Sequence, residues 1–294
     1  MCRWMGWSGQ PVVVEDLLFK PKQSLVEQSL HSRMGVETTN GDGFGLGWYG
    51  QGEGPGVYHS VSPAWGDANL RELAAHIESP LFLAHVRATT GTAIQQTNCH
   101  PFRHGRWLFV HNGVIADFEV IRRELMLAVA PELFSGIKGS TDSEVLFHLA
   151  LTFGLEQDPI GALEQAIGFV EATATAHGIE NAVQASLGLT DGEHLWAFRY
   201  STEHDSRTLF VTAEASTIHT LYPENEQLQR FRDEDRLVVS EPIADLEGVW
   251  HEIPESTVLI VQPGPDVQRP FQPHYEPAKA NGAPSPAAAS PGRA

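Results

Sequence analysis

The chain has 294 residues, is 41% hydrophobic and 19% charged, and carries a formal net charge of −18 at pH 7. That length allows one large or two small globular domains with a substantial buried core. The negative field repels phosphate backbones and anionic membranes, so no nucleic-acid or membrane partner is expected; a zwitterion, whose two charges are met locally, is not repelled.

The chain opens Met1-Cys2, and the only other cysteine is Cys99. Two cysteines make no disulfide framework. The start MCRWMGWSGQ lacks the apolar core and small-residue cleavage site of a secretory leader. No apolar run is long enough to span a bilayer. A reducing cytoplasm is the expected compartment, and it keeps Cys2 a thiol. If Met1 is removed, Cys2 carries a thiol and a free α-amine. That amine titrates near pH ~8 and can take the thiol proton, a chain start that supplies its own base. Alone, Cys2 is equally a small second residue that lets Met1 be trimmed.

A first helix is expected over Ser24–Ser32. The segment Gly41-Asp42-Gly43-Phe44-Gly45-Leu46-Gly47-Trp48 follows, with glycine at each odd position. In a strand this bares one face, so that another backbone or a ligand approaches closely. No Lys-Ser/Thr follows, and the third glycine of G-x-G-x-x-G is missing, so it is no phosphate loop. A helix over Asp67–Ile77, capped by Asp67, precedes a buried strand over Leu81–Val86. That strand delivers Arg87, whose rigid fork suits a carboxylate, beside the hydroxyls of Thr89 and Thr90.

Asn98-Cys99-His100-Pro101-Phe102 puts a thiol beside an imidazole, yet adjacent residues on an extended chain point apart. His100 and His104 have the helical metal-ligand spacing, but Pro101 and Gly105 oppose a helix there, and no metal is expected. A strand over Trp107–Val110 runs to a polar turn with Asn112-Gly113 at its tip. An Asn amide and a following Gly N–H aimed at one point are the parts of an oxyanion hole, and equally of an ordinary turn. Helices are expected over Asp117–Val129, with Asp117 as cap, over Pro159–Ala176, and from Thr141, where Thr141-Asp142-Ser143-Glu144 reads as a capping box. If Thr141 caps, the Asp142 carboxylate is left for a ligand ammonium.

Ala185–Leu189 and His194–Phe198 flank the hairpin signal Asp191-Gly192. Thr208–Thr212, Arg236–Val239 and Thr257–Val261 read as later strands. The folded body is expected over residues 2–263. The Pro/Ala-rich text after Tyr275, residues 276–294, reads as a disordered tail. Antiparallel hairpins with long helices between blocks give an α+β layer architecture.

Taken in order, the N-terminal Cys2, DGFGLGWY, AHVRATTG, NCHPF, HNG and TDSE resemble the class II glutamine amidotransferases, which are N-terminal-nucleophile hydrolases. The resemblance covers roughly residues 2–260. It implies a four-layer αββα sandwich of two antiparallel sheets. It implies Cys2 as nucleophile with its α-amine as base, and Asn112 and Gly113 as oxyanion hole. Arg87 and Thr90 would then meet the glutamine α-carboxylate, Asp142 the α-ammonium, and His100 would lie near the pocket.

The implied reaction is hydrolysis of the glutamine side-chain amide through a γ-glutamyl thioester, without a cofactor. Many members fuse this domain to a synthase that consumes the ammonia. The residues after the body leave no room for one, so a separate ammonia-accepting synthase is an expected partner. Short stand-alone members, the γ-glutamyl hydrolase of ergothioneine biosynthesis among them, make hydrolysis of another γ-glutamyl amide the alternative. A non-catalytic glutamine-binding subunit is the third reading.

Overall fold

The structure is a computed structural model, and it describes residues 2–31, 39–89 and 91–276. In chain order the strands are β1 (Arg3–Val13), β2 (Phe44–Trp48), β3 (Gly56–Ser60), β4 (Glu78–Val86), β5 (Phe102–His104), β6 (Trp107–Ile115), β7 (Val183–Thr190), β8 (Leu195–Ser201), β9 (Phe210–Thr212), β10 (Arg236–Val239), β11 (Trp250–Glu252), β12 (Thr257–Val261) and β13 (Val267–Pro270). The helices are α1 (Val14–Leu18), α2 (Leu25–Leu30), α3 (Ala68–His76), α4 (Phe118–Ala128), α5 (Pro131–Phe134), α6 (Asp142–Thr152), α7 (Pro159–Ala176) and α8 (Ala215–Leu221).

Two antiparallel sheets form among the described residues. One has seven strands in the order β11-β9-β10-β1-β4-β2-β3, the other six in the order β13-β12-β8-β7-β6-β5. Alternation along β1 and β4 divides the first sheet between two cores. Trp4 and Leu83 face the second sheet and pack with Leu108, Val110, Leu195 and Ala197. Met5, Trp7, Phe82 and Ala84 face outward onto Leu18, Leu25 and Leu70 of the first helical layer. On the far side of the second sheet, Phe109 and Leu187 pack with Phe147, Leu163 and Phe169 of α6 and α7. The result is the expected αββα order. Each large buried side chain contributes roughly 1.5–3 kcal/mol of transfer free energy, so the three apolar layers carry the fold.

Helix starts follow local chemistry. Asp67 accepts from the Leu70 N–H and Thr141 from the Glu144 N–H. Asp158 caps α7, with Pro159 in its first turn. The capping box is only half made. Glu144 does not reach back to Thr141; its two oxygens accept from the Lys138 and Gly139 N–H groups and brace the loop before α6. Asp117 does not cap α4 as expected. It sits at φ 45° with its side chain making no capping bond.

The glycine-bared face of β2 is filled by the His100-Pro101 segment. A Cβ on Gly45 would stand 2.0 Å from the His100 carbonyl oxygen, and one on Gly47 would stand 2.7 Å from the Pro101 ring. The chain also stays packed beyond Pro263. β13 pairs with β12, Phe271 is buried, and Tyr275 stacks edgewise on Phe169. The segment crosses α7 so closely that a Cβ on Gly168 would lie 2.2 Å from the His274 main chain. The tail expected from residue 277 onward lies outside the described residues.

Candidate active site

β1 and β4 position Cys2. Arg3 pairs with Val86 and Trp4 with His85, so Cys2 stands beyond the last paired residue, beside Arg87 and Ala88. Its Sγ accepts from the Ala88 N–H at 3.4 Å and lies 3.5 Å from the Ala88 carbonyl oxygen. Burial pushes the thiol up from its ordinary value, against the Ala88 hydrogen bond and the charges of Arg87 and Arg207. A thiol pushed up is protonated at neutral pH and needs a base to become nucleophilic.

β6 supplies the facing wall. Trp4 Nε1 donates to Ser186 Oγ at 3.0 Å across the sheets, and Ser186 is paired with Asn112. Asn112 and Gly113 are not at a turn, as the sequence suggested. They lie inside β6, which runs on to Ile115 in unbroken register with β7. Asn-Gly favours turns, but the apolar strand around it decides otherwise.

The ladder then sets the donors. Ala116 N–H bonds the Ala182 carbonyl. Antiparallel alternation therefore turns the N–H groups of Ile115 and Gly113 away from β7. β5 pairs with β6 only as far as Phe109, so this edge is open beyond it. Ile115 N–H donates to Asp142 Oδ2 at 2.8 Å, and the Gly113 N–H projects from the same edge two residues earlier. The Asn112 side chain is 1% exposed, and its Nδ2 has no hydrogen-bond partner among the described residues. A buried amide donor without an acceptor costs stability, about 1–3 kcal/mol, unless a ligand completes it. Gly113 cannot carry a side chain, because a Cβ would sit 1.9 Å from the Gln184 carbonyl oxygen.

Arg87 is 3% exposed. Its Nη1 donates to the Asp42 carbonyl at 3.3 Å, and its Nη2 donates to Thr92 Oγ1 at 2.6 Å, Thr89 Oγ1 at 3.2 Å and the Ala93 carbonyl at 3.3 Å. The fork thus ties the glycine-rich segment to the loop after β4. Thr90 lies outside the described residues. Thr92 is a contact that sequence reading missed.

Thr141, not Asp142, is the N-cap of α6 and accepts from the Glu144 N–H, while Asp142 serves the helix start only through the Ser143 N–H. Oδ1 accepts from the Ser143 N–H and hydroxyl and Oδ2 from Ile115, which leaves acceptor capacity on Oδ2. Ser143 Oγ also meets His111 Nδ1 at 2.9 Å, so the Asp142 helix start is latched to β6. Asn98 is a second latch. Its Oδ1 accepts from the Ser140 N–H at 2.8 Å and its Nδ2 donates to the Ala93 carbonyl at 2.9 Å, which joins the Arg87 loop to the Asp142 loop.

His100 packs on His85 with ring centroids 4.2 Å apart. All four ring nitrogens are buried without a hydrogen-bond partner among the described residues. Burial, then Arg87 and His111, lowers His85 to about 3, and burial holds His100 well below its ordinary value. Both rings are therefore neutral at pH 7, and neither serves as a proton donor there. His85 was legible in hindsight: it stands near the end of β4, two residues before Arg87. Cys99 is fully buried, its thiol is pushed up to about 11 by burial, and its Sγ faces the Ser60 carbonyl, so it forms no dyad with His100.

The buried histidines set an acid limit. In the unfolded chain they titrate near pH ~6.5; in the fold they resist protonation. Below about 6.5 the unfolded state binds more protons, so stability falls as pH drops from there toward the folded value. Thermal melts between pH 7.5 and 5 should show the midpoint falling, with a shallower fall in His85→Gln. An unchanged slope in that variant would remove His85 from the account.

Cys2 thus lies beside Arg87 at the end of β4, where His100 packs on His85; Asn112 and Gly113 lie on β6, to which Asp142 is bonded through the Ile115 N–H. A family model for class-II glutamine amidotransferases matches residues 21–283. The chain belongs to the class II glutamine amidotransferases. The probable glutamine amidotransferase DUG3 of Saccharomyces cerevisiae is 33% identical over 292 residues, 89% of this chain and 82% of that protein. The γ-glutamyl-hercynylcysteine sulfoxide hydrolase of Mycobacterium tuberculosis is 39% identical over 117 residues, 39% of this chain and 50% of that protein. Among solved structures, a class-II domain protein from Silicibacter pomeroyi superimposes with a TM-score of 0.70 at 34% identity. It covers 92% of this chain and 99% of the other. Among the described residues, no helix is long and apolar enough to cross a membrane.

Proposed function

We propose that this chain hydrolyses the side-chain amide of glutamine or of a closely related γ-glutamyl amide. The α-amine of a processed Cys2 takes the thiol proton, and the thiolate attacks the amide carbon. The carbonyl oxygen becomes an oxyanion that receives hydrogen bonds from Asn112 Nδ2 and the Gly113 N–H. Collapse expels the amine, which takes the proton held by the α-amine, and leaves a γ-glutamyl thioester on Cys2. Water, deprotonated by the same amine, releases glutamate. The observation that carries this reading is the buried Asn112 amide, whose Nδ2 meets no acceptor among the described residues, beside a backbone donor that β7 does not use.

Arg87 and Asp142 hold the two charges of the substrate's amino-acid end. A carboxylate entering here shares the Arg87 fork with Thr89 and Thr92. A charge-assisted hydrogen bond contributes about 1.5–3 kcal/mol. Arg87→Ala is therefore expected to raise KM ~10–100-fold with a smaller fall in kcat, as read by steady-state kinetics on glutamine. A KM within twofold of the parent would take the carboxylate away from Arg87.

The leaving group is the open variable, and the name of the mycobacterial relative supports an amine larger than ammonia. Rates against a panel of γ-glutamyl amides, with glutamine as reference, test it. Preference for free glutamine points to a separate synthase that accepts the ammonia. Preference for a substituted amide makes the chain a stand-alone γ-glutamyl hydrolase. No release of glutamate from any of them leaves the non-catalytic binding reading.

A further inference from the structure

The nucleophile sits at the very start of the chain, where a polypeptide normally frays unless something ties it down. The β-ladder does not do so, because pairing with β4 begins at Arg3 and pairing with β10 at Met5. The chain after β10 continues the alignment by side-chain and backbone bonds. Ser240 Oγ accepts from the Trp4 N–H at 3.0 Å, and the Ser240 N–H donates to the Trp4 carbonyl at 3.0 Å. The same register, carried one residue further, puts Glu241 opposite Arg3.

There the two form a buried ion pair. Arg3 Nε lies 3.1 Å from Glu241 Oε2, with side-chain exposures of 4% and 3%. Arg3 Nη1 reaches back to donate to the Cys2 carbonyl at 3.0 Å. Glu241 is itself held in place, because the buried Gln28 amide of α2 donates to the Glu241 and Pro242 carbonyls at 3.1 and 3.2 Å. A buried ion pair rarely stabilises a fold more than apolar side chains of the same volume would. Stability alone therefore does not account for it.

We infer that Arg3, held by Glu241, is a positioning residue for the nucleophile: its hydrogen bond to the Cys2 carbonyl fixes where the Cys2 α-amine lies relative to the thiol. The reason is stereochemical. Cα of Cys2 carries the carbonyl carbon, the thiol arm, the nitrogen and a hydrogen. Ala88 holds the thiol arm and Arg3 holds the carbonyl. With two substituents of an L-centre anchored, the direction of the third is set, and the amine cannot swing away from the sulfur whose proton it must take. Without the Arg3 anchor Cys2 turns about its own Cα–C bond, because the peptide bond to Arg3 is rigid; with Sγ held at Ala88, that turn changes the N–Cα–Cβ–Sγ torsion, and the amine and thiol spend less time within proton-transfer reach. A misplacement of about 1 Å at a reacting centre can cost ~10²-fold. Substrate contacts at Arg87 and Asp142 are untouched by such a change.

This inference rests on the reading of Cys2 as the nucleophile, and the test keeps the two apart. The full chain and two variants, Arg3→Met/Glu241→Leu and Arg3→Lys, are purified and checked by intact mass for loss of Met1. The double variant replaces the ion pair by apolar groups of similar size; Arg3→Lys keeps the charge and the fold if the double variant does not fold. Covalent titration with a diazo-ketone glutamine analogue counts the active molecules, and kcat and KM are expressed per labelled Cys2. The expected result is a kcat lower by ~10–100-fold in the double variant and by about tenfold in Arg3→Lys, with KM within threefold and a melting midpoint close to the parent's. A kcat per labelled site within twofold of the parent in whichever variant folds would overturn the inference, as would a loss confined to the fraction of labelled molecules. A parent chain that takes up no label would instead defeat the functional reading itself.

Discussion

Cys2→Ala is expected to abolish release of glutamate from glutamine, with a fall in kcat of at least ~10³-fold and no change in fold. In residue-deletion series the loss of a covalent nucleophile is the largest single effect on turnover, because no remaining group can open the thioester route. Cys2 is half-buried and belongs to no strand, so the variant costs little packing. A circular-dichroism spectrum and melting midpoint close to the parent's accompany the lost activity. Residual hydrolysis at more than a few per cent of the parent rate would move the chemistry to another residue. Cys99 is a poor substitute, being fully buried with its thiol pushed up to about 11.

Asn112→Ala is expected to lower kcat by ~10²–10³-fold while KM changes by less than threefold. A donor aimed at charge that develops only in the transition state contributes on that scale, and little to ground-state binding. The variant has a second, opposite signature. The Asn112 Nδ2 is buried without a hydrogen-bond partner among the described residues, so its removal relieves a desolvation cost. The melting midpoint should therefore stay level or rise although activity falls. A fall in stability together with an unchanged kcat would mean that Asn112 is a structural amide. In that case the Gly113 N–H would lose its partner in the oxyanion site.

Much of the layout was legible because its signals are local. Arg236–Val239, Thr257–Val261 and Pro159–Ala176 are bounded as their composition suggested, since β-branched runs and a capped apolar helix need no distant partner to declare themselves. β1 was invisible. Its first half alternates between two cores, Trp4 to one and Met5 to the other, so both faces are apolar and no period of two appears. The glycines of β2 announced a close approach, but not that its occupants are the His100 carbonyl, 55 residues after Gly45, and the Pro101 ring, 54 residues after Gly47. Asn112-Gly113 was expected at a turn and lies inside β6 instead. The donors come from an open strand edge set by the β7 register and not from a turn, and register between distant strands is not written in a dipeptide. The latches Asn98, Ser143 and Arg3–Glu241 were equally out of reach, because each joins segments that only the fold brings together.

The most direct test of the account is the intact mass of the purified chain before and after incubation with the diazo-ketone glutamine analogue. The account requires a mass that begins at Cys2, a gain of one analogue less its nitrogen, placement of that adduct on Cys2 by peptide mapping, and no gain in Cys2→Ala. A fully active chain that still carries Met1, or an adduct that survives Cys2→Ala, would contradict it.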